Sequence, residues 1–526
     1  MRASRSQVAA LAVLCGIAAL TFLDTTVVSI TLADIQTDLH AGVTTLQWVV
    51  NGYALVFASF MLAGGTLGDR LGRRSVMVGG VGVFCAGAIV CALAPNSSTL
   101  IAGRVVMGIG AAASEPGTLS VLRHLYPEHR ARAGALGAWA ATSGLALALG
   151  PVIGGVIAGL SSWRGIFWFS LVWGVLVGVL AMRVVEESSD PEEARLDIAG
   201  MVLGVATLAP FVFAVIAGET AGYGPWWIIT LFCVSALGAV AFAIVEHRVE
   251  KPLVPLDLFR RAAFVGANVV GFITYFALFA IFFFVALYLQ LIANESALRV
   301  ALDFAPLAGG MIVASAATGR WVGRVGARLP MATGCILGGV GALLTDRVLS
   351  PHVGLLSIGS VLLVSGVGFG MAVVPVVSSA LSAVAPERSG LAASVTNTFR
   401  EMGAVVGVAV LGAIVNAQLT SYLTMRLRQL GVPSGLWGFI IGAVTTGTAP
   451  SSGANNPAAA GNAALVAKVI AAADQAFYVG LNVALLLAAS LLLAAGLVAA
   501  ASLRNRPAEE EAPDAAAVGS PPATLH

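Results

Sequence analysis

Lysine is almost missing from this 526-residue chain: Lys251 and Lys468 are the only two in a basic set otherwise made of arginine. Neither sits in a GxxxxGK setting, so the phosphate-cradling loop of a nucleotide-driven pump is excluded. Charge of either sign is scarce. Charged residues make up 10% of the chain, against about 25% in soluble globular domains. The net charge of +2 is too small for a nucleic-acid partner. The five cysteines (Cys15, Cys85, Cys91, Cys233 and Cys335) all fall in apolar runs without CxxC spacing and read as small buried side chains. The six histidines lie outside those runs, so no intramembrane histidine metal site is expected. What the chain has instead is apolar surface: 58% of residues are hydrophobic and the mean hydropathy is +0.93. Lipid, rather than water, is its main solvent.

Apolar runs of about 20 residues suffice to cross a hydrocarbon core. Fourteen are read, from 8–32 and 46–67 through 391–418 and 475–502. The first follows Arg2 and Arg5 as a signal peptide would. No small-x-small cleavage site follows it, so it is read as a retained span. Arginine placement tests the count independently. With the N-terminus inside, the inner segments carry Arg2/Arg5, Arg70/Arg73/Arg74, Arg123/Arg130/Arg132, Arg183/Arg195, Arg248/Lys251/Arg260/Arg261, Arg324/Arg328, Arg388 and Arg504/Arg506. Short outer loops carry Arg164, Arg299 and Arg347, one each. That bias is the positive-inside rule, and it favours an even span number with both ends cytoplasmic.

The chain is duplicated. The turn GGTLGDRLGRRSVM at 64–77 has a weaker copy, GRWVGRVGARLPM: Gly65, Leu67, Arg70, Gly72, Arg74 and Met77 return as Gly319, Trp321, Arg324, Gly326, Arg328 and Met331. Gly323 stands where the first copy has Asp69. Gly108/Gly110 likewise return as Gly366/Gly368, and Pro127-Glu128 as Pro386-Glu387. Two membrane halves in parallel order is a transporter repeat pattern. The expected fold is an all-α integral membrane protein of six plus two plus six spans. Its parts are a first bundle over 1–184, a linker with two extra spans over 185–262, a second bundle over 263–502, and a disordered cytoplasmic tail over 503–526. Residues 419–474 are read as a long outer loop, with SGLWGFIIGAV (434–444) too short to span and lying at the interface.

Ionisable groups inside spans are costly unless paired, which makes them the strongest functional signal. Asp24 in span 1 and Arg104 in span 4 both fall roughly 10 Å from the outer end, so they can meet at one depth. A carboxylate that exchanges its proton beside an arginine is the minimum for proton coupling. A permanent structural ion pair is the alternative. Glu115 lies about 16 Å below Arg104, as an inner stop for protons or cations or as a solvated acid at the inner mouth. Arg400 and Glu401 point about 100° apart on span 13, so at least one is expected to face a cavity. Gly150, Pro151, Gly154 and Gly155 in span 5 predict a kinked helix in close contact with neighbours. Gly65, Asp69, Arg70, Gly72 and Arg73 form a basic turn. Asp69 could hold the inner mouth closed by facing the N-terminus of a helix from the other half, near Ser389-Gly390. A purely topogenic turn is the competing reading.

These residues also carry a resemblance. GTLGDRLGRR (65–74), LIAGRVVMGIGAA (100–112), LGPVIGG (149–155), LDTTVV (23–28), QWVVNGYAL (47–55) and ERSGLAASVTNTFREMG (387–403) resemble, in order over 8–418, the signatures of the major facilitator superfamily. Within it they resemble the fourteen-span drug:proton antiporters of the EmrB/QacA type. The resemblance implies Asp24 as the proton-linked carboxylate, Arg104 as its partner, and Asp69 in the inner gate. The chain departs from the pattern at Ser29 and Ala33, where Asn and Pro are usual, and at Glu401, where Gln is common.

The sequence thus reads as a multi-pass protein of the inner or plasma membrane, not an enzyme. It is expected to be a proton-coupled efflux antiporter for amphipathic, apolar or cationic small molecules. Its expected partners are that substrate, protons and the lipid bilayer, with no nucleotide, nucleic acid, metal or cofactor. Access alternates between the halves. Trp48, Tyr53, Tyr275 and Phe276 are candidates to line the cavity. The alternatives are a dedicated exporter of one endogenous metabolite, antibiotic or lipid, and a proton-driven uptake symporter with the same fold. A membrane sensor or enzyme is disfavoured: there is no soluble effector domain and no recognisable nucleophile–base pair.

Overall fold

In the computed structural model the described residues are 5–126, 128–188, 198–249, 252, 254, 256–350, 354–384, 389–445 and 463–502. Among them all regular structure is helical. In chain order the helices are α1 Arg5–Val27, α2 Leu32–Leu39, α3 Val43–Leu71, α4 Arg73–Ala92, α5 Ser97–Leu125, α6 His129–Leu160, α7 Arg164–Val184, α8 Ile198–Ala221 and α9 Trp226–Arg248. They continue with α10 Ala262–Ala280, α11 Ala286–Leu291, α12 Ala297–Val325, α13 Arg328–Val348, α14 Leu355–Ser382, α15 Ser389–Gln429, α16 Ser434–Thr445 and α17 Ala463–Ser502. Thirteen stretches of the described residues are long and apolar enough to cross a membrane. The 29-residue α3 is not among them; it packs inside the bundle against α5, α8 and α15. Below, the near side is the one where α1 begins, and the far side is the opposite one.

The duplication is visible in the packing. A Cβ on Gly108 would meet the Tyr53 carbonyl of α3 at 2.6 Å, and one on Gly110 would meet the Phe84 nitrogen of α4 at 2.3 Å. Their copies repeat the geometry: a Cβ on Gly366 would lie 2.1 Å from the Leu307 carbonyl of α12, and one on Gly368 would lie 2.2 Å from the Gly338 nitrogen of α13. So α5 fits between α3 and α4 as α14 fits between α12 and α13. With no hydrophobic drive between helices in lipid, such backbone-close packing of small residues is what holds them together. The two sets meet where α6 packs on α12 and where α3 packs on α15. Helices α8 and α9 pack on each other, and α8 also lies against α3 and α15, beside the seam. Only 22% and 17% of their most apolar windows are buried, against 83% for Ala262–Leu291, so α8 and α9 are peripheral and lipid-facing.

Two local features differ from the expectation and one agrees with it. The loop expected over 419–474 is shorter, because α15 continues to Gln429 and α17 begins at Ala463. Leu419, Leu423 and Leu427 are all buried, extending the apolar stripe at four-residue spacing past the expected end at 418. Next, α16 has 12 residues, too few to span as foreseen, and the Trp437 indole donates to the Val432 carbonyl at 2.8 Å. Finally, Cys233 is exposed, on the lipid side of α9, while the other four cysteines are buried. Residues 446–462 of the expected loop and 503–526 of the expected tail lie outside the described residues.

Candidate functional site

Asp24 and Arg104 form an ion pair, and both side chains are fully buried. Asp24 is on the last turn of α1, and a 3₁₀ turn at Val28–Thr31 interrupts the helix just beyond it. Arg104 comes from α5. Its Nε–H donates to the Val49 carbonyl of α3 at 2.9 Å, and its guanidinium lies 4.5 Å from the centre of the Tyr53 ring. The Tyr53 hydroxyl donates to the Thr21 carbonyl of α1 at 3.0 Å. The Ser170 hydroxyl of α7 reaches Asp24 Oδ1 at 3.5 Å. Five helical contacts therefore fix one carboxylate. Removing one partner of a buried pair costs about 3–5 kcal/mol, because the other charge stays uncompensated. The cation–π contact and the Val49 carbonyl supply part of that compensation for Arg104 when Asp24 is neutral.

The span-5 motif is tied to the same segment. Pro151 has no N–H, so the carbonyl four residues earlier, at Leu147, lacks its helical donor. Thr26, two residues past Asp24, fills that place: its hydroxyl donates to the Leu147 carbonyl at 2.9 Å. Gly150 makes the approach possible, since a Cβ there would lie 1.9 Å from Thr26 Oγ1. A Cβ on Gly154 would likewise lie 2.4 Å from the Val27 carbonyl. Gly155 looks the other way, to α12, where a Cβ would lie 2.3 Å from the Ala301 Cβ. The motif thus joins α1, the helix of Asp24, to the second half.

A second buried cluster bridges the halves toward the near side. The Asn397 amide of α15 donates to Glu115 Oε1 of α5 at 3.4 Å, and Arg400 Nη1 donates to Asn397 Oδ1 at 2.9 Å. Arg400 lies 4.3 Å from the centre of the Tyr275 ring of α10. Glu401, one turn after Asn397 and on the same face, is buried with no hydrogen-bond partner on either oxygen. Glu115 Oε2, the Tyr275 hydroxyl and the side-chain amides of Gln47 and Asn51 are also buried and unpartnered. Gln47, Asn51, Ala54, Ala58 and Met61 form one stripe of α3 at helical spacing. The Thr398 hydroxyl of α15 reaches the Met61 sulfur at 4.0 Å, so this stripe faces the second half. Buried polar groups normally have partners. Orphans on two facing helices are what a site open to a polar ligand or water leaves behind.

The other candidates are dispersed. The Trp48 ring packs on Phe213 of α8 at 5.1 Å. The Phe276 backbone lies against Gly407 of α15, where a Cβ would be 2.4 Å from the Phe276 carbonyl. Gly65 faces Pro116 Cβ at 3.4 Å. The side chains of Asp69 and Arg70 lie outside the described residues. Gly72 turns the chain with φ +107°, a conformation that favours glycine. The start of α4 is held from the linker: Glu187 accepts from the N–H groups of Arg74 at 3.0 Å and Ser75 at 3.1 Å, and from the Ser75 hydroxyl. Arg73 N–H donates to the Ser188 carbonyl at 2.9 Å. Partial burial pushes the Glu187 carboxyl up, but these hydrogen bonds and Arg74 outweigh it and hold it below its ordinary value.

Several residues of the site escaped the sequence reading. Asn397, Thr26, Gln47 and Asn51 are uncharged, so charge inside spans does not find them. Asp303 and Asp346 did carry that signal. Asp303 is buried 3.7 Å from Arg299 one turn earlier on α12, whereas Asp346 accepts from the Asn482 amide at 2.6 Å and so ties α13 to α17.

A membrane-embedded bundle of duplicated halves, with buried acid–base groups between them, defines a multi-pass carrier of the cell membrane. The Major Facilitator Superfamily model matches residues 14–408, and the chain belongs to that family. It is 34% identical over 398 residues to the methylenomycin A resistance protein of Streptomyces coelicolor, covering 75% of this chain and 83% of that one. It is 30% identical over 475 residues to the multidrug resistance protein Stp of Mycobacterium tuberculosis, covering 89% and 87%. Among solved structures, a bacterial homologue of the human lysosomal transporter Spinster, inward-facing and unoccupied, superposes with a TM-score of 0.57 at 17% identity. The match covers 94% of this chain and 98% of that one, and supports the fold alone.

Proposed function

We propose that this protein is a proton-coupled efflux antiporter for amphipathic small molecules, with fourteen spans when α3 is counted and both ends in the cytoplasm. The near side is then cytoplasmic. The observation that carries this reading is the fully buried Asp24–Arg104 pair, tied through Thr26 to the helix that closes the far side. Protonation of Asp24 removes its attraction for Arg104, which keeps the Val49 carbonyl and the Tyr53 ring. α1 is then released from α5 at the point where it is also bonded to α6. Loss of the proton restores the pair. The near side is closed by the Glu115–Asn397 contact and the far side by α6 on α12, so rocking of the halves opens one while the other stays shut. The energy source is the proton gradient, and no residue set requires a cofactor.

The cluster of Glu115, Arg400 and Glu401 gives substrate a place. With the first pair it makes three acids against two bases, which suits a cationic or protonated ligand. The unpartnered amides of Gln47 and Asn51 favour a ligand with hydrogen-bonding groups of its own, and this supports a second reading as a dedicated exporter of one polar-decorated product. The resistance functions named for the relatives support export over uptake.

Everted vesicles test the proposal. Added substrate should discharge the proton gradient in wild type, and Asp24→Asn should abolish the discharge at unchanged membrane levels, because an amide is nearly isosteric but does not titrate. Retained discharge in Asp24→Asn would sink the coupling role. An intact gradient in wild type across a panel of toxic amphiphiles would point to uptake.

A further inference from the structure

On the far side the halves are joined by one side chain that behaves like a piece of backbone. Between α1 and α2 the chain passes through the 3₁₀ turn, and Thr31 leaves the helical region at φ −109°, ψ 10°. Either side of that residue, Gln290 of the second half makes two hydrogen bonds. Its amide nitrogen donates to the Ile30 carbonyl, and its amide oxygen accepts from the Ala33 N–H at 3.1 Å. Gln290 is buried, with both polar atoms satisfied.

Its placement depends on a π-helical turn at Ile281–Val285, which joins α10 to α11. A π turn adds a residue to the helix and so rotates everything after it by about 100°. Without that turn a different residue of α11 would face Ile30. The packing around the contact is close but undirected: Gly155 lies within 3.2 Å of Ile30 Cγ2, and Gly159 lies 3.0 Å from Leu298 Cβ, each measured from an added Cβ. The Gln290 amide is the directional contact there.

We propose that Gln290 is a positioning residue of the transport cycle, a latch that holds the far side shut and releases each time that side opens. The proposal goes beyond the efflux reading and rests on it only for alternation of the two halves. Ile30 lies six residues past Asp24, about 9 Å along the helix axis. A shift of α1 at the carboxylate therefore reaches the latch directly.

The test uses the full chain in nanodiscs with its five cysteines replaced. Spin labels go on Ser162→Cys and Leu356→Cys at the far ends of the two halves, where both residues are exposed. A second pair, Met182→Cys and Ser382→Cys, reports the near side. Gln290→Leu should raise the far-open fraction about tenfold, as expected for two lost hydrogen bonds, with the near pair moving closer. Ala33→Pro removes the backbone donor in the first turn of α2 but also disfavours the helical conformation of Leu32 before it, so it is read beside Gln290→Met, which keeps the length of the side chain without its hydrogen bonds. Both should shift the far pair the same way, and Gln290→Met decides the matter if Gln290→Leu does not fold. Unchanged far-side distances in these variants, or equal broadening of both label pairs, would overturn the latch. Failure of the vesicle assay in wild type would overturn the efflux reading and leave the distance result standing.

Discussion

Thr26 offers the sharpest test of how the segment around Asp24 is wired to the rest of the molecule. Thr26→Val keeps the volume and branching of the side chain and deletes only the hydroxyl. The Leu147 carbonyl is then left buried with no donor, because Pro151 cannot supply the helical one. Leaving such a group unsatisfied costs about 1–3 kcal/mol. Since the bond joins α1 to α6, that cost falls on the state in which the two are docked. A second substitution separates this cause from general damage. Pro151→Ala returns an N–H to the Leu147 carbonyl, so in that background the Thr26 hydroxyl is redundant and Thr26→Val should be nearly free. The cycle should therefore show a coupling of about 1–3 kcal/mol, well above the ~0.5 kcal/mol scatter of independent sites. Thr26 also makes a 3.4 Å contact to the Leu23 carbonyl on its own helix. That contact is lost in both backgrounds and cancels. Thermal unfolding of the four proteins in detergent, together with the far-side label distances, reads the cycle. Thr26→Ser should restore wild-type behaviour, whereas Gly150→Ala, which places a methyl on Thr26 Oγ1, should mimic the valine. Equal costs of Thr26→Val in both backgrounds would refute the reasoning.

Two further predictions concern the near side and the outer loop. Glu187 is held below its ordinary value by its hydrogen bonds to the start of α4, so its contribution is fully present above the usual carboxylate range of about 4.3 and is lost as pH falls through its lowered folded value. Protection of the Arg74 and Ser75 amides against exchange should fall over that window in wild type. It should stay pH-independent in Glu187→Gln, and identical profiles would remove Glu187 from the loop. A cysteine introduced as Ser451→Cys in the cysteine-free chain should react with an impermeant thiol reagent added outside intact cells. Reaction only after lysis would mean that the fourteen-span reading is wrong.

Much of the fold was legible because membrane solvation leaves a coarse record. Long apolar runs, the arginine bias and the Gly108/Gly110 repeat each follow from one physical constraint, and the packing of α5 and α14 answers directly to that repeat. Charged candidates were legible for the same reason: Asp24, Arg104, Glu115, Arg400 and Glu401 are expensive where they stand. Their uncharged partners were not. Asn397 looks like any polar residue in a span until it is seen between Glu115 and Arg400. Thr26 gains meaning only when Pro151, on another helix, frees a carbonyl beside it. Gln290 needs a π turn that the run IFFFV does not announce. The helical continuation through Leu419, Leu423 and Leu427 was legible in principle, being a plain four-residue repeat, but the polar residues between them masked it.

The two ends of the molecule are closed by different chemistry, and this bears on how a proton can drive it. Near-side closure carries the ionisable set: Glu115, with Arg400 and Glu401 beside its Asn397 bridge. Far-side closure is neutral: a threonine hydroxyl on a freed carbonyl, a glutamine amide on two backbone groups, and glycines against alanines. Those contacts do not themselves titrate, although Arg299 of α12 pairs with Glu295 and Asp303 beside them. Asp24 is on α1, which carries the Thr26 bond and leads through the 3₁₀ turn into the Ile30–Ala33 segment. Each of these contacts spans a break in regular helix: the 3₁₀ turn after α1, Pro151 in α6 and the π turn before α11. Regular helices transmit a displacement along their axes, and breaks are where it becomes a change of angle. With these breaks in the far half, the proposed mechanism expects the far side to be the one that bends in response to the carboxylate. The near side, by contrast, responds to charge directly.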